Sequence, residues 1–341
     1  MNAGYPWAAM KRCLALLLLA PLLAACGGKA RTQDPVSNVP TDNGIQVKVK
    51  QASDPVASEF PDAAGKSLTE LSQETTGGPT MAMASSVFDT GGTRVAFGVI
   101  DKDGQPVYGP TALYVAASPT APAKGPYPAP ADVLLTDKRY RSKQAATATD
   151  VFVAVYGSEV PFPKRGAYSV LSVTKGPDGK LIGAGQTVQV SSRSADPIPN
   201  VGDDAPKVHT DTLASAKGDI TKIDTRSPPD DMHDVDFADV VGKKPVALLF
   251  ATPQLCQSRV CGPVTDIEVQ MKAKYGKQMD FIHQEVYVDN NIQKGLRPPL
   301  KQFNLPSEPW LFIVNKSGKI TARLEGSIGV NQFEAAIKTG L

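Results

Sequence analysis

The chain has little of most things that would declare a chemistry at once. Its 341 residues include only four cysteines and three histidines. Four cysteines in a chain this long exclude a disulfide-built scaffold, so where they sit matters more than their number. Charge of one sign is also missing, since 36 Lys and Arg against 34 Asp and Glu leave a formal net charge of +2. Phosphate affinity needs a clustered basic excess, so a nucleic-acid binder is excluded as the default. Aromatics are sparse at 6%. Turn formers are not: 29 glycines and 29 prolines exceed the usual combined share of about 12%. That surplus favours many-turned β-structure over a helical bundle. The length suggests two folded domains, or one with long connections.

The one long apolar run lies at the start. Lys11 and Arg12 precede an apolar stretch from Cys13 to Leu23, closed by Leu23-Ala24-Ala25-Cys26. A basic start, a short apolar stretch and small residues before a cut site describe a secretory signal. The stretch is too short for a spanning helix, which needs roughly 20 apolar residues. The Leu-Ala-Ala-Cys ending resembles the lipobox of bacterial lipoproteins. That resemblance implies removal of residues 1–25, diacylation of Cys26, and a lipid-anchored protein on the extracytoplasmic side of a cell membrane. Two acyl chains anchor stably where one does not. An ordinary signal peptide with an incidental Cys26 is the plainer alternative.

Residues 26–80 read as a flexible linker. Pro35, Pro40, Pro55, Pro61 and Pro79 interrupt a polar stretch with few aromatics. Such a stretch buries too little apolar surface to offset the entropy of ordering it. Short elements at Gly44 to Val49 or Leu68 to Leu71 are the exceptions. Residues 81–195 then read as an all-β module. Runs at Thr93–Ile100, Ala112–Val115, Val151–Tyr156, Tyr168–Val173 and Thr187–Val190 alternate with turn signals such as Asp178-Gly179. Strands of this length and spacing predict an immunoglobulin-like sandwich, with residues 116–150 as a long loop or ragged edge. The module has no Cys or His, which argues against catalysis or metal binding there. Pro197, Pro199 and Pro206 mark residues 196–234 as a linker and extension.

The last stretch, 235–341, carries the chemistry. Val246–Ala251 is a continuous apolar run, as in a strand buried on both faces. Cys256 and Cys261 follow it, and Val264, Ile267, Met271 and Tyr275 then recur at helical spacing up to Gly276. Phe281–Val288 reads as a second strand. Pro309 opens the run Trp310–Val314, which turns through Asn315–Gly318 into Lys319–Leu324. Asn331 and Glu334 suggest a capping box on a last helix.

This βαβ then ββα order, with cysteines opening the first helix and proline opening the hairpin, resembles a thioredoxin fold of the extracytoplasmic thioredoxin-like, peroxiredoxin and Sco-type group. Val201-Gly202-Asp203-Asp204-Ala205-Pro206 resembles the opening segment of such proteins. The overall expectation is therefore a two-domain chain, an all-β immunoglobulin-like sandwich followed by an α/β thioredoxin-like fold.

The resemblance implies a cis peptide bond before Pro309, lying against the active cysteine. It also implies thiol–disulfide exchange with protein thiols or disulfides of the cell envelope, without a cofactor. Cys261-Gly262-Pro263-Val264 keeps three residues of the thioredoxin Cys-Gly-Pro-Cys and replaces the second cysteine by valine, leaving Cys256 as partner. A helix N-terminus lowers a thiol's pKa, so Cys261 is expected to be the reactive thiolate and Cys256 to resolve. Val260 replaces the usual aromatic residue, and Leu248 falls near the place of the buried carboxylate. A peroxidase reading has Pro253, Ser258 and Cys261, with one residue too many between the first two. A copper-assembly reading has Cys-x4-Cys where Sco-type proteins have Cys-x3-Cys, and none of His209, His233 and His283 lies in the hairpin region. No metal is therefore assigned. A structural disulfide in a non-catalytic binding protein is the remaining alternative.

Other residues have modest expectations. His283 and Glu285 read as a hydrogen-bonded structural pair, Arg259 as a solvated loop residue, and Arg297-Pro298-Pro299 as a rigid loop. Trp310 is expected beside the cysteines.

Overall fold

A computed structural model of the chain describes Met1 and residues 34–146, 152–256 and 259–341. The rest of the expected signal after Met1, the expected acylation site Cys26 and Ser258 of the peroxidase reading lie outside the described residues. Among the described residues no helix is long and apolar enough to cross a membrane.

The expected linker is instead folded onto the protein. Ile45, Val49 and Ala52 recur at one per turn and place α1 (Ile45–Ala52) with Val49 and Ala52 fully buried. Val36 and Val39 enter the same core. In α2 (Leu68–Gln73), Ser67 Oγ accepts the Glu70 N–H while Glu70 accepts the Ser67 N–H, a complete capping box. Leu68 and Leu71 are buried beneath it.

The β-rich part is a sandwich of two sheets. Its strands are β1 (Thr80–Met83), β2 (Phe88–Asp89), β3 (Gly91–Ile100), β4 (Thr111–Ala116), β5 (Lys124–Pro128), β6 (Ala131–Val133), β7 (Ala154–Phe162), β8 (Gly166–Lys175) and β9 (Leu181–Ser191). One sheet runs β1-β3-β7-β6 and the other β2-β9-β8-β4-β5. The β8–β9 hairpin turns at Asp178-Gly179, where Gly179 holds φ +78°, a conformation that favours glycine. Residues 116–150 are not simply a loop, since they supply β5 and β6.

Burial along β4 explains the N-terminal clasp. Leu113 and Val115 point into the sandwich core. Ala112, Tyr114 and Ala116 point the other way, with Leu171 and Val173 of β8 beside them. That outer face is apolar and must be covered. Phe60, Ala63, Leu68 and Leu71 cover it, and Tyr114 donates to the Pro61 carbonyl at 2.6 Å.

The second half contains α3 (Phe237–Val240), β10 (Val246–Phe250), α4 (Cys261–Tyr275), β11 (Asp280–Gln284), α5 (Pro298–Gln302), β12 (Trp310–Val314), β13 (Ile320–Glu325) and α6 (Val330–Gly340). The sheet runs β11-β10-β12-β13, with β10 and β11 parallel and the other pairs antiparallel. Leu249, Leu311 and Ile313 pack with α4 and α6 on one face. Leu248, Phe250, Trp310 and Phe312 pack with Phe237, Leu300 and Phe303 on the other. This is the βαβ–ββα arrangement that the thioredoxin resemblance implies, with a helix layer on each face.

Residues 196–234 hold little regular structure, yet Ile198, Val208, Ile223 and Met232 are buried. The segment is a packed coat, and not a free linker. Residues 34–341 cluster as one compact unit. Polar contacts tie the sandwich to the second sheet: Glu325 accepts the N–H groups of Ser86 and Val87, both at 2.9 Å. Arg94 donates to Gln332 at 2.7 Å and to the Glu325 carbonyl at 3.0 Å.

Candidate functional site

The run Val246–Ala251 ends where the cysteine segment begins. The Cys256 N–H closes a turn onto the Thr252 carbonyl at 3.1 Å, and the Arg259 N–H bonds the Cys256 carbonyl at 3.3 Å. Cys261 is the first residue of α4. Cys256 and Cys261 are both buried, and their side chains are hydrogen-bond neighbours. Five residues of separation therefore collapse into one dithiol site.

Their exposures differ. Cys261 is 0% exposed and Cys256 8%. A segment of the sandwich packs onto the start of α4, next to Cys261. Gly262 lies so close to Gln144 that a Cβ on it would meet the Gln144 carbonyl oxygen at 2.2 Å. The covering segment is fastened by Ser142, whose N–H bonds Asp266 of α4 at 2.9 Å. Arg226 ties the same carboxylate to the Tyr140 carbonyl, at 2.9 and 2.7 Å.

Electrostatics follows from this burial and corrects the expectation for Cys261. Desolvation pushes its pKa well up, and the neighbouring Cys256 sulfur and Glu308 add to the rise; only a backbone contact at Thr252 opposes them. The helix N-terminus is present, but loss of water outweighs it. Burial therefore disfavours the Cys261 thiolate.

Pro309 follows a cis peptide from Glu308. The Glu308 carboxyl is raised by burial and then by Cys256, so it sits within electrostatic reach of the pair. Tyr287 is raised too, by burial and by Glu308, Cys256 and Cys261. Neither Glu308 nor Tyr287 stands out in the sequence, because only the fold brings them to the cysteines. A cavity of about 380 Å³ opens between sandwich and sheet beside this site, with Met83, Leu134, Phe152, Val260 and Glu308 in its wall. Its apolar lining suits an apolar peptide segment better than a charged small molecule.

Other expectations change. Trp310 is not beside the cysteines. Successive strand residues face opposite sides, and Trp310 joins Phe312 on the face away from α4, its Nε1–H donating to Ser307 at 3.1 Å. Leu248 is buried in the same apolar cluster. His283 does not pair with Glu285. Its Nδ1 lies 2.8 Å from Asp230, while Glu285 accepts from the Thr225 N–H at 2.8 Å. Arg297 is 7% exposed and fully engaged, with Asp211 at 2.6 Å and the carbonyls of Tyr287 and Lys222 at 2.8 and 2.7 Å. Arg259 is exposed. Asn331 and Glu334 form no capping box: the N-cap of α6 is Gly329.

A second cluster was hidden in the supposed linker. Asp224, Asp230 and His233 meet His283 of β11. The available signal was the density of acidic residues from Asp219 to Asp236 around a histidine, unusual for a spacer.

No family model matches the chain, and no curated protein matches it. Solved structures similar to it include a putative thiol:disulfide interchange protein DsbE from Chlorobium tepidum, at 17% identity over 42% of this chain and 98% of that one, TM-score 0.30. Another is a thiol:disulfide interchange protein of the thioredoxin family from Chlorobium tepidum TLS, at 15% identity over 43% and 97%, TM-score 0.26. A thioredoxin-like superfamily protein matches at 14% over 31% and 85%, TM-score 0.23. The thioredoxin-like fold of the second half rests on its strand order and helix placement rather than on these likenesses.

Proposed function

We propose that the protein is a lipid-anchored extracytoplasmic thiol–disulfide exchange protein whose redox pair is Cys256 and Cys261. The observation behind this reading is the meeting of two thiols at the start of α4, beside the cis Glu308–Pro309 peptide. The anchor at Cys26 rests on the lipobox-like ending alone. An immunoglobulin-like assignment of the sandwich is supported by its strand order. Labelled A, A′, B, C, C′, D, E, F and G along the chain, the sheets become A-B-E-D and A′-G-F-C-C′.

The greater exposure of Cys256 supports roles opposite to those expected from the sequence. An incoming disulfide meets Cys256 first, because Cys261 is covered. The Cys256 thiolate attacks one sulfur of a protein disulfide, forming a mixed disulfide and releasing one substrate thiolate. Cys261, deprotonated as its cover opens, attacks the Cys256 sulfur. The Cys256–Cys261 bond forms and the second substrate thiol leaves. Two electrons pass to the substrate, and the protons of both cysteines pass to the two product thiols. The reverse sequence oxidises a substrate dithiol.

The complete burial of Cys261 favours a second reading, in which the pair closes as a structural disulfide of a non-catalytic binding protein. Peroxidase chemistry is disfavoured by the same burial, which raises the Cys261 pKa and so works against a peroxidatic thiolate. A redox titration separates the readings. Exchange requires a potential above about −300 mV, whereas a lower one marks a structural bond. In the exchange reading, Cys261→Ser traps a mixed disulfide with envelope proteins and Cys256→Ser does not.

A further inference from the structure

Asp224, Asp230, His233 and His283 lie with one donor atom each within 4.8 Å of one another. Their side chains are 0–2% exposed. None of them belongs to the dithiol site.

The protonation of His283 is constrained by its surroundings. Its Nε2 is 3.1 Å from the Ala251 carbonyl, which can only accept, so Nε2 carries the hydrogen. In a neutral ring Nδ1 is then a bare lone pair. Yet Nδ1 faces two carboxylates, with Asp230 Oδ2 at 2.8 Å and Asp224 Oδ1 at 3.9 Å. Lone pairs do not face carboxylate oxygens in a dry interior unless a positive charge lies between them. That charge is a proton or a metal ion.

His233 bears on the choice. Its Nε2 points at the same carboxylates, 3.3 Å from Asp230 Oδ1 and 3.5 Å from Asp224 Oδ2. Neither ring nitrogen makes a well-formed hydrogen bond, although the ring is buried. A second buried imidazolium would carry an N–H at Nδ1 with no acceptor and a poorly directed one at Nε2, which is costly. One divalent cation balances both carboxylates and leaves both rings neutral.

The carboxylates are already held in place. Asp224 accepts the N–H groups of Arg226 and Asp230, each at 2.7 Å, and Asp230 accepts that of Met232 at 2.9 Å. One donor atom from each residue lies within 4.8 Å of the others, and His233 Nε2 stands 3.3 Å from Asp230 Oδ1 and 3.5 Å from Asp224 Oδ2. Metal bonds of about 2.0–2.2 Å in a tetrahedron need donors about 3.3–3.6 Å apart. The hydrogen bond from His283 Nε2 to a backbone carbonyl is the outer-shell contact that metal-bound histidines make. Two nitrogens and two oxygens, with no thiolate, suit zinc better than copper(I) or an all-oxygen ion.

We propose that Asp224, Asp230, His233 and His283 form a closed four-coordinate site for a divalent cation of the zinc class. It would clamp the 224–236 segment onto β11 and onto Ala251, where the cysteine loop begins.

Metal content of the purified full-length chain, followed by cobalt(II) loading after chelation, tests this. A stoichiometric divalent metal is expected. So is a tetrahedral cobalt spectrum without the thiolate-to-metal band that cysteine ligands would give. Zinc should raise the melting temperature of the chelated protein. His233→Gln should weaken binding by more than the roughly 10–100-fold that follows loss of an outer-shell partner. If that variant fails to fold, the wild-type spectrum still decides. No stoichiometric uptake, or a thiolate band, overturns the site. The cluster would then be two imidazoliums held by two carboxylates.

Discussion

Asp132, on β6 of the sandwich, accepts the backbone N–H of Gln332 at 2.8 Å, and that of Asn331 at 3.0 Å. A residue nearly 200 positions away thus performs the capping that α6 lacks locally. The Asp132 side chain also fills the space where a Cβ on Gly329 would stand, 2.3 Å from its carboxyl carbon. Replacing Asp132 by Ala removes a cap and orphans two helix donors, at a cost of about 1–2 kcal/mol. Urea unfolding followed by fluorescence and circular dichroism should show that loss in a single transition. Two separated transitions would refute the view that both halves unfold together.

The cysteines should differ in chemical reactivity. With 8% of Cys256 exposed and none of Cys261, a small alkylating reagent should modify Cys256 first in the reduced native protein. Cys261 should follow only as the structure opens. Peptide mass mapping over time gives the order, and earlier labelling of Cys261 contradicts the assigned roles.

Gly262→Ala should loosen the cover. Its new methyl meets backbone at Gln144 rather than a movable side-chain end, so the misfit should cost about 1–3 kcal/mol. Alkylation of Cys261 should quicken at the same time. Gly77→Ala is the control, because nothing lies within 4 Å of the added carbon. Equal effects of the two changes would dissociate Gly262 from the cover.

What could be read in advance follows a physical division. The run Val246–Ala251 and the run Trp310–Val314 are legible because burial on both faces leaves no polar position. The cysteine helix is legible from Val264, Ile267, Met271 and Tyr275. The clasp at residues 34–80 is not, because its helices offer one apolar residue per turn and the reason for their burial is the outer face of β4. The raised pKa of Cys261 is not legible for a similar reason: the local helix terminus is visible in the sequence, while its burial is tertiary. His233 is not legible as a cluster residue because its partners Asp224 and Asp230 lie in a segment without periodicity. Glu308 is not legible as a site residue, because only the fold brings it to the cysteines.

Glu334 makes an acid-sensitive tie between α4 and α6. Burial pushes its carboxyl up, but hydrogen bonds from Lys274, Tyr275 and Lys338 outweigh this and lower it from 4.5 to about 2. A carboxyl depressed by folding contributes stability above its unfolded value and loses it as pH falls through its folded one. The contribution should be full above pH 4.5 and fade toward pH 2. Melting temperatures across that range should fall less steeply for Glu334→Gln than for the wild type. Parallel curves would show that the tie adds nothing.

Glu308 offers the sharpest test of the dithiol site, because it acts on Cys261 through charge. The carboxyl titrates above its ordinary 4.5, through burial and the Cys256 sulfur. It is ionised in the alkaline range where thiols titrate. There it adds to the rise in the Cys261 pKa, behind desolvation and Cys256. Glu308→Gln keeps the shape and removes the charge. Thiolate absorbance of the reduced protein should therefore rise at lower pH in the variant, with the direction set by one fewer negative charge near the sulfur. Because desolvation is the larger cause, the midpoint should stay above the ordinary thiol value. A return to that value would mean that charge rather than burial suppresses Cys261. An unchanged or higher midpoint would place Glu308 outside the site.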